Sequence, residues 1–343
     1  MRELIEHVRD GAHLTAAQIA AAVAHLTAAE WEDDVKAELL RALRDKGETV
    51  EEIAAFAQAL LSLAVDPGLD FTRLPGPVID VCGTGGDRLE LFNISTTSMF
   101  VLAAGGAVVV KHGNRAITSK CGGADVLEYL GVEIDLPPEP LRRCIETLGL
   151  GFIFAPAYHP AFKAISPVRK LLAAQGIPTV FNLLGPLLNP ARPPFQLVGI
   201  FDRTLLPKYA ETLRTLGRER AWAVHGDGMD ELATTGPSEV REVSPAGIRC
   251  FEVIASDLGL SPAWIEDLRG GDCAGNAQIL TGILDGSLRG PQRDIVELNA
   301  AAGFVVCGLS SNLPDGLGLA REQIDSGAAL AKLHALRRFT AAE

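Results

Sequence analysis

Between Val78 and Leu130 the chain reads as two strand–loop–helix units in immediate succession, with glycines and cations placed at the loops. Val78-Ile79-Asp80-Val81-Cys82 is a short apolar run that breaks into Gly83-Thr84-Gly85-Gly86-Asp87, too rich in glycine to continue as strand or helix. Asn93-Ile94-Ser95-Thr96 then opens a long apolar segment, and Asn and Ser are favoured where helices begin. In the second unit Val108-Val109-Val110 runs into Lys111-His112-Gly113-Asn114-Arg115, and Ser119, Gly122 and Gly123 precede a helix from Ala124 to Leu130 closed by Gly131. Strands that each release a loop at the carboxyl end point to an open α/β sheet, whose ligands bind along that edge.

The chemistry of both loops suits phosphate. Glycines let successive backbone N–H groups face one concavity, and a helix start beside them adds dipole and free amides. Lys111 and Arg115 bring two cations to the second strand end, so the pair fits a ligand with more than one phosphate group. The rest of the chain narrows the ligand further. It has 343 residues and a formal net charge of −12, which works against long nucleic acid or an anionic membrane, since both are held mainly by Lys and Arg. A basic loop in an acidic protein suggests a small anion.

Six cysteines (Cys82, Cys121, Cys144, Cys250, Cys273, Cys307) include no C-x-x-C pair, which signals neither zinc nor a redox motif and reads mostly as buried free thiols. The N-terminal MRELIEHVRDGAHL lacks the apolar region of a signal peptide, and the stretch from Met99 to Val110 is too short to span a bilayer. A cytoplasmic location is expected.

Residues 1 to about 66 read as successive helices starting at Thr15, Thr27 and Thr49, alanine-rich and apolar at three- and four-residue spacing. A Pro/Gly-bearing linker from Asp66 to Pro77 follows. Beyond the two loops, helical and strand-like runs alternate: Leu141 to Leu148, Phe152 to Phe154, Phe162 to Ala174, Gln196 to Phe201, Leu206 to Leu216, Ala221 to His225, and a last helix from Gly327. The fold class is therefore α/β: a small all-helical domain plus a large α/β domain with a central sheet flanked by helices. The adjacent acids Asp230 and Glu231 follow an apolar strand in Gly226-Asp227-Gly228-Met229, where they are either solvated or functional. Arg169 reads as an ordinary helix cation, and His112 and His159 as structural or site histidines.

GTGGD, NIST and KHGNR, in this order and spacing, resemble the phosphoribosyl pyrophosphate (PRPP) site of the anthranilate phosphoribosyltransferase family of tryptophan biosynthesis. LRDKGETVEEIA, FNLLGPLLNPA, HGDGMDE, GPQRDIVELNAA and AREQIDSGAAL extend the resemblance over almost the whole chain. It implies a glycosyltransferase moving the 5-phosphoribosyl group of PRPP to the amine of anthranilate, with Mg²⁺ as cofactor and a homodimer formed through the helical domain. It also implies that residues 1–70 are joined in space by about 161–190, while 75–160 and 191–343 form the transfer domain. Carried over residue by residue, Lys111, Asn114 and Arg115 are catalytic, and Gly83, Gly85, Gly86, Asp87, Asn93, Ser95, Thr96, Lys111, Ser119 and Gly123 meet PRPP. Gly83, Asn114, His112 and Arg169 meet anthranilate, with Arg169 on its carboxylate, and Ser95, Asp230 and Glu231 hold the metal, with Asp227 as a rival ligand.

The chain departs from that family where the usual GTGGD-G-x-x-T-F-N becomes Asp87-Arg88-Leu89-Glu90-Leu91-Phe92-Asn93, and where S-G-S-A-D becomes Cys121-Gly122-Gly123-Ala124-Asp125. Rival readings are a transferase of the same fold acting on another aromatic amine, a pyrimidine nucleoside phosphorylase, or a nucleic-acid-binding relative without transferase chemistry. A nicotinamide dehydrogenase lacks support, because Lys111 rather than an acid follows the second strand.

Overall fold

The computed structural model describes residues 1–87, 89–116 and 120–343; Arg88, Ile117, Thr118 and the expected PRPP contact Ser119 lie outside them. The chain opens with helices α1 (Arg2–Arg9), α2 (Ala16–Thr27), α3 (Asp33–Lys46) and α4 (Val50–Leu61). Thr15 and Thr49 cap α2 and α4, each accepting from the third following amide while Gln18 or Glu52 reaches back to the cap N–H. Thr27 behaves differently from its sequence reading. It ends α2, its hydroxyl donating to the Val23 carbonyl at 2.8 Å, and α3 starts later at Asp33 with Asp33 and Asp34 against the helix dipole.

The sheet-forming part runs β1 (Val78–Gly83), α5 (Ile94–Ala104), β2 (Val108–Gly113), α6 (Gly123–Tyr129), α7 (Pro138–Leu148), β3 (Leu150–Phe154), α8 (Ala155–Tyr158), α9 (Ser166–Ala174), α10 (Phe181–Leu184), β4 (Phe195–Gly199), α11 (Leu206–Thr215) and β5 (Arg220–Gly226). It closes with β6 (Ser238–Ser244), β7 (Gly247–Val253), α12 (Cys273–Leu284), α13 (Pro291–Val306), α14 (Leu313–Asp325) and α15 (Ala328–Thr340). One sheet has the order β3-β2-β1-β4-β5-β6-β7, parallel through β5 and antiparallel in the last two pairings. Chain order reverses between β1 and β4, so the loops leaving β1, β2, β4 and β5 open on the same edge at a switch point.

Alternation along the strands divides the core in two. Ile79, Val81, Val109, Leu197, Trp222 and Val224 face α5 and α13, and α13 is buried almost all round because it fills the centre of that layer. Val198, Ala221 and Ala223 face the opposite way, into a core shared with α11 and with Ile19, Leu40, Ile53 and Phe56 of the first helices. Ile165, Val168 and Leu172 of α9 and Phe181 and Leu184 of α10 belong to that same core. The segment between β3 and β4, which includes Arg169, thus packs with the N-terminal helices.

Candidate active site

At the end of β1 the glycine loop is shaped by an acid before any ligand arrives. A Cβ on Gly83 would stand 2.1 Å from Asp230 Oδ2, and one on Gly199 only 1.5 Å from the Asp230 carbonyl oxygen. Only glycine at both positions lets the turn after β5 lie across β1 and β4. Gly85, at φ +67°, aims its N–H at Asp230 Oδ2 at 2.7 Å. Asp87 also faces Asp230, and the Ser95 amide meets Glu231. Burial, then the repulsion of Asp87, pushes the Asp230 carboxyl well above the ordinary range; burial, then Asp230, does the same to Glu231.

This donor set fits Mg²⁺. Asp87, Asp230 and Glu231 repel one another with few donors around them and so gain from a small hard cation, and the Ser95 hydroxyl, on Lys111 at 3.1 Å, is a further oxygen on the same helix start. Among the described residues no three acidic, His or Cys side chains converge closely enough to enclose an ion, so an ion here would need oxygens beyond those of the side chains. Asp227 is turned away, accepting from the Thr235 hydroxyl at 2.7 Å.

Lys111 of β2 is buried and bridges the two units: its ammonium donates to the Val81 carbonyl and to Ser95 Oγ at 3.1 Å, and it lies in the field of Glu231. The two helix starts also touch, since a Cβ on Gly123 would come within 2.8 Å of Thr96 Oγ1. Asn93 precedes α5, yet its side chain makes no cap. It donates instead to the Cys121 carbonyl at 3.1 Å and accepts from Asn276 at 3.0 Å. Asn114 braces its own loop, its Oδ1 accepting from the Arg115 amide at 2.8 Å. Arg115 is turned onto α6, with Nη1 and Nη2 on Glu128 at 2.6 and 2.9 Å and Asp125 at 3.2 Å, and lies over the Phe154 ring. Asp125 also receives the amides of Ala116 and Gly122, both at 2.8 Å. Leu91, at the family's threonine position, packs against the apolar core and pairs with Arg269, while Gly86 sits over Phe201.

A run of rings leads from β2 toward α9. His112 meets His159 edge-on at 5.2 Å, His159 stacks on Phe162, Phe162 meets Phe181, and the Arg169 guanidinium lies 5.4 Å from the Phe181 centroid. Burial lowers the Arg169 pKa, and among the described residues this half-buried guanidinium makes no ion pair. Burial first, then His159, pulls His112 down to about 3, and burial lowers His159, whose Nε2 lies 2.8 Å from the Leu188 carbonyl. Both rings are neutral at pH 7.

Two supports escaped the sequence reading. Under β1 and β2, the wholly buried Asp80 accepts from the His112 amide at 3.1 Å and from Asn189 at 3.0 Å, while Gln196 accepts from Arg218 at 3.0 Å. Beside the loops, residues 268–276 clamp 90–93: Phe92 donates to Leu268, Gly270 to Glu90 and the Asn276 side chain to Asn93. A disulfide joins Cys121 to Cys273 there, correcting the free-thiol reading for two of the six cysteines; Cys144 and Cys307 are buried free thiols, Cys82 half-buried and Cys250 exposed. Nothing local in the sequence signalled that clamp, because Asn93 and Asn276 lie 183 positions apart.

Residues 75–330 match the model of the glycosyl transferase family, a/b domain, and residues 2–64 that of the glycosyl transferase family, helical bundle domain. The chain is 44% identical to the anthranilate phosphoribosyltransferase of Moorella thermoacetica, covering 98% of this chain and 97% of the relative, and 45% identical to that of Haloferax volcanii, covering 98% and 99%. Among solved structures it resembles the anthranilate phosphoribosyltransferase of Thermus thermophilus, at TM-score 0.90 and 40% identity, covering 98% and 99% of the two chains. It also resembles the Saccharomyces cerevisiae enzyme in complex with PRPP and Mg, at TM-score 0.84 and 27% identity, covering 96% and 93%.

Proposed function

We propose, from the premise that this chain belongs to the anthranilate phosphoribosyltransferase family, that its cleft joins PRPP to anthranilate through C1′ of the ribose and releases pyrophosphate. One observation carries the site reading: Asp230 and Glu231, Lys111, the Gly85 amide and the start of α5 converge at one switch point. Mg²⁺, held by Asp230, Glu231 and Ser95, supplies charge neutralisation to the pyrophosphate when bound.

The chain's own groups do the rest. The amides of the Gly83–Asp87 loop and the α5 start receive phosphate oxygens, and Lys111 adds a cation that cannot leave because it is braced by Val81 and Ser95. These fixed charges favour the departing pyrophosphate as positive charge grows on the ribose. Arg169 takes the acceptor carboxylate with the planar fork that suits it, and Asn114 and Gly83 border the amine. An aryl amine is neutral at pH 7 and already nucleophilic, so positioning replaces a general base. The neutral His112 and His159 wall the acceptor instead. Arg115 joins the pyrophosphate by exchanging its hold on Glu128, an exposed ion pair, for phosphate.

Ala17, Ala20, Ala21 and Ala24 form an exposed small-residue face of α2 that supports a homodimer through the helical domain. Among the described residues no helix is long and apolar enough to cross a membrane. The deciding experiment mixes the protein with Mg²⁺, PRPP and anthranilate and follows anthranilate fluorescence and pyrophosphate. Loss of fluorescence matched by pyrophosphate is expected. Neither signal over hours, from folded protein, overturns the function, whereas consumption of another aminobenzoate corrects only the acceptor.

A further inference from the structure

Two cysteines far apart in sequence meet beside the proposed PRPP loops. Cys273, the first residue of α12, is bonded to Cys121, which directly precedes Gly122 and Gly123, across 152 positions. Cys121 stands where the family pattern carries serine. Hydrogen bonds converge on the same point, from Asn93 to the Cys121 carbonyl, from Asn276 to Asn93, and from Gly271 to Asn276. Through them the tether touches both loops, because Asn93 opens α5 and Cys121 leads into α6.

We propose that Cys121 and Cys273 form a thiol–disulfide modification site, through which a small dithiol or a dithiol protein sets the affinity of the PRPP site. The inference rests on the functional reading above. Cys121 is 2% exposed and Cys273 half-buried, so the reductant reaches the Cys273 sulfur. A reductant thiolate attacks Cys273 Sγ, the protein S–S bond breaks, and its electron pair leaves on Cys121, which takes up a proton. The second reductant thiolate then attacks its own sulfur in the mixed disulfide and releases Cys273. Cys273 leaves from the start of a helix, where free amides favour a thiolate, and it then picks up the second proton. Two electrons and two protons pass from the dithiol to the protein, and the oxidised dithiol reverses the exchange.

With the bond closed, Cys121 is fixed, Gly122 stays on Asp125, and Gly123 stays against Thr96. With it open, the place of Cys121 rests on single hydrogen bonds, and PRPP must order what the bond had ordered already. Reduction is therefore expected to weaken PRPP binding by about 3- to 10-fold, leaving kcat and the anthranilate KM within about twofold.

The test uses the full chain, incubated with dithiothreitol or with its oxidised form. Thiol titration in denaturant should count two more thiols after reduction, and calorimetry with PRPP and Mg²⁺ should show the weaker binding. Cys273→Ala and, independently, Cys121→Ser should bind PRPP like the reduced protein under both conditions. Equal PRPP affinity while the thiol count changes, or an unchanged count, overturns the proposal. Redox-dependent PRPP binding without anthranilate turnover overturns the acceptor reading alone, and PRPP bound in neither state overturns both.

Discussion

Two carboxylate centres in this molecule, one buried and one half-buried, are built in opposite ways. In the helical domain Glu52 is 1% exposed and fully partnered: Lys46 Nζ lies at 2.7 Å, and the amides of Leu14 and Thr49 donate at 2.8 and 2.9 Å. Burial pushes its carboxyl up, but Lys46 and the amides outweigh that and hold it below the ordinary range. At the sheet edge Asp230 and Glu231 lie against each other and Asp87 with few donors, and both are raised. The first centre completes itself from its own chain. The second is left incomplete, and an incomplete acidic centre is stabilised by what it binds.

Substitution should separate the two centres. Asp230→Asn with Glu231→Gln is expected to cut kcat/KM by roughly 10³-fold or more, while Tm holds or rises because repulsion is removed. Mg²⁺ should raise the Tm of the parent protein with PRPP present and leave that of the double variant in place. Retained activity, or an equal Mg²⁺ response, would erase the distinction. Glu52→Ala should do the reverse, destabilising the fold by about 3 kcal/mol, since Lys46 and two amides lose their partner in the interior. Denaturant unfolding measures it, and kcat per folded molecule should not change.

Arg169 extends the comparison to a cation lacking what Lys46 has. Arg169→Ala should raise the anthranilate KM by about 10- to 150-fold, the worth of a charge-assisted hydrogen bond, with PRPP binding nearly unaffected. An unchanged acceptor KM would make it a structural cation over Phe181. Asn276→Ala, which frees Asn93 and so acts on the phosphate loops at one remove, should raise the PRPP KM by about 2- to 12-fold and leave the anthranilate KM alone.

How much of this the sequence carried follows from range. The glycine loops, their strands, the caps at Thr15 and Thr49 and the acidic pair were legible, because each is set by residues adjacent in the chain. Thr27 misled because a threonine hydroxyl can equally close a helix by bonding back to the preceding turn, as it does on Val23. The resemblance, not the residues, singled out Arg169, since its helix joins a core that includes first-domain residues more than a hundred positions away. Asn93 reads locally as a cap, but Cys121 and Asn276 hold its side chain in place of the helix. Asp80 read as one more strand residue; its partners His112 and Asn189 come from elsewhere, so no local pattern announced a buried acid.

The smallest expected effect is the response of Glu52 to acid. Its folded-state pKa lies below the ordinary value of 4.5, so the folded protein binds this proton less readily than the unfolded chain does. Stability from this group is therefore complete above the ordinary value and falls as pH drops through the depressed folded value, below which the neutral carboxyl no longer pairs with Lys46. Glu52→Gln keeps the shape and some amide contacts but has no proton to gain. Its stability should lie below that of the parent at pH 7 and converge on it under acid, the gap closing below about pH 4.5. Urea unfolding of both proteins across that window measures the gap directly. A gap that stays constant with pH would mean that Glu52 acts through packing and hydrogen bonds alone, and the self-completed centre would then owe nothing to its charge.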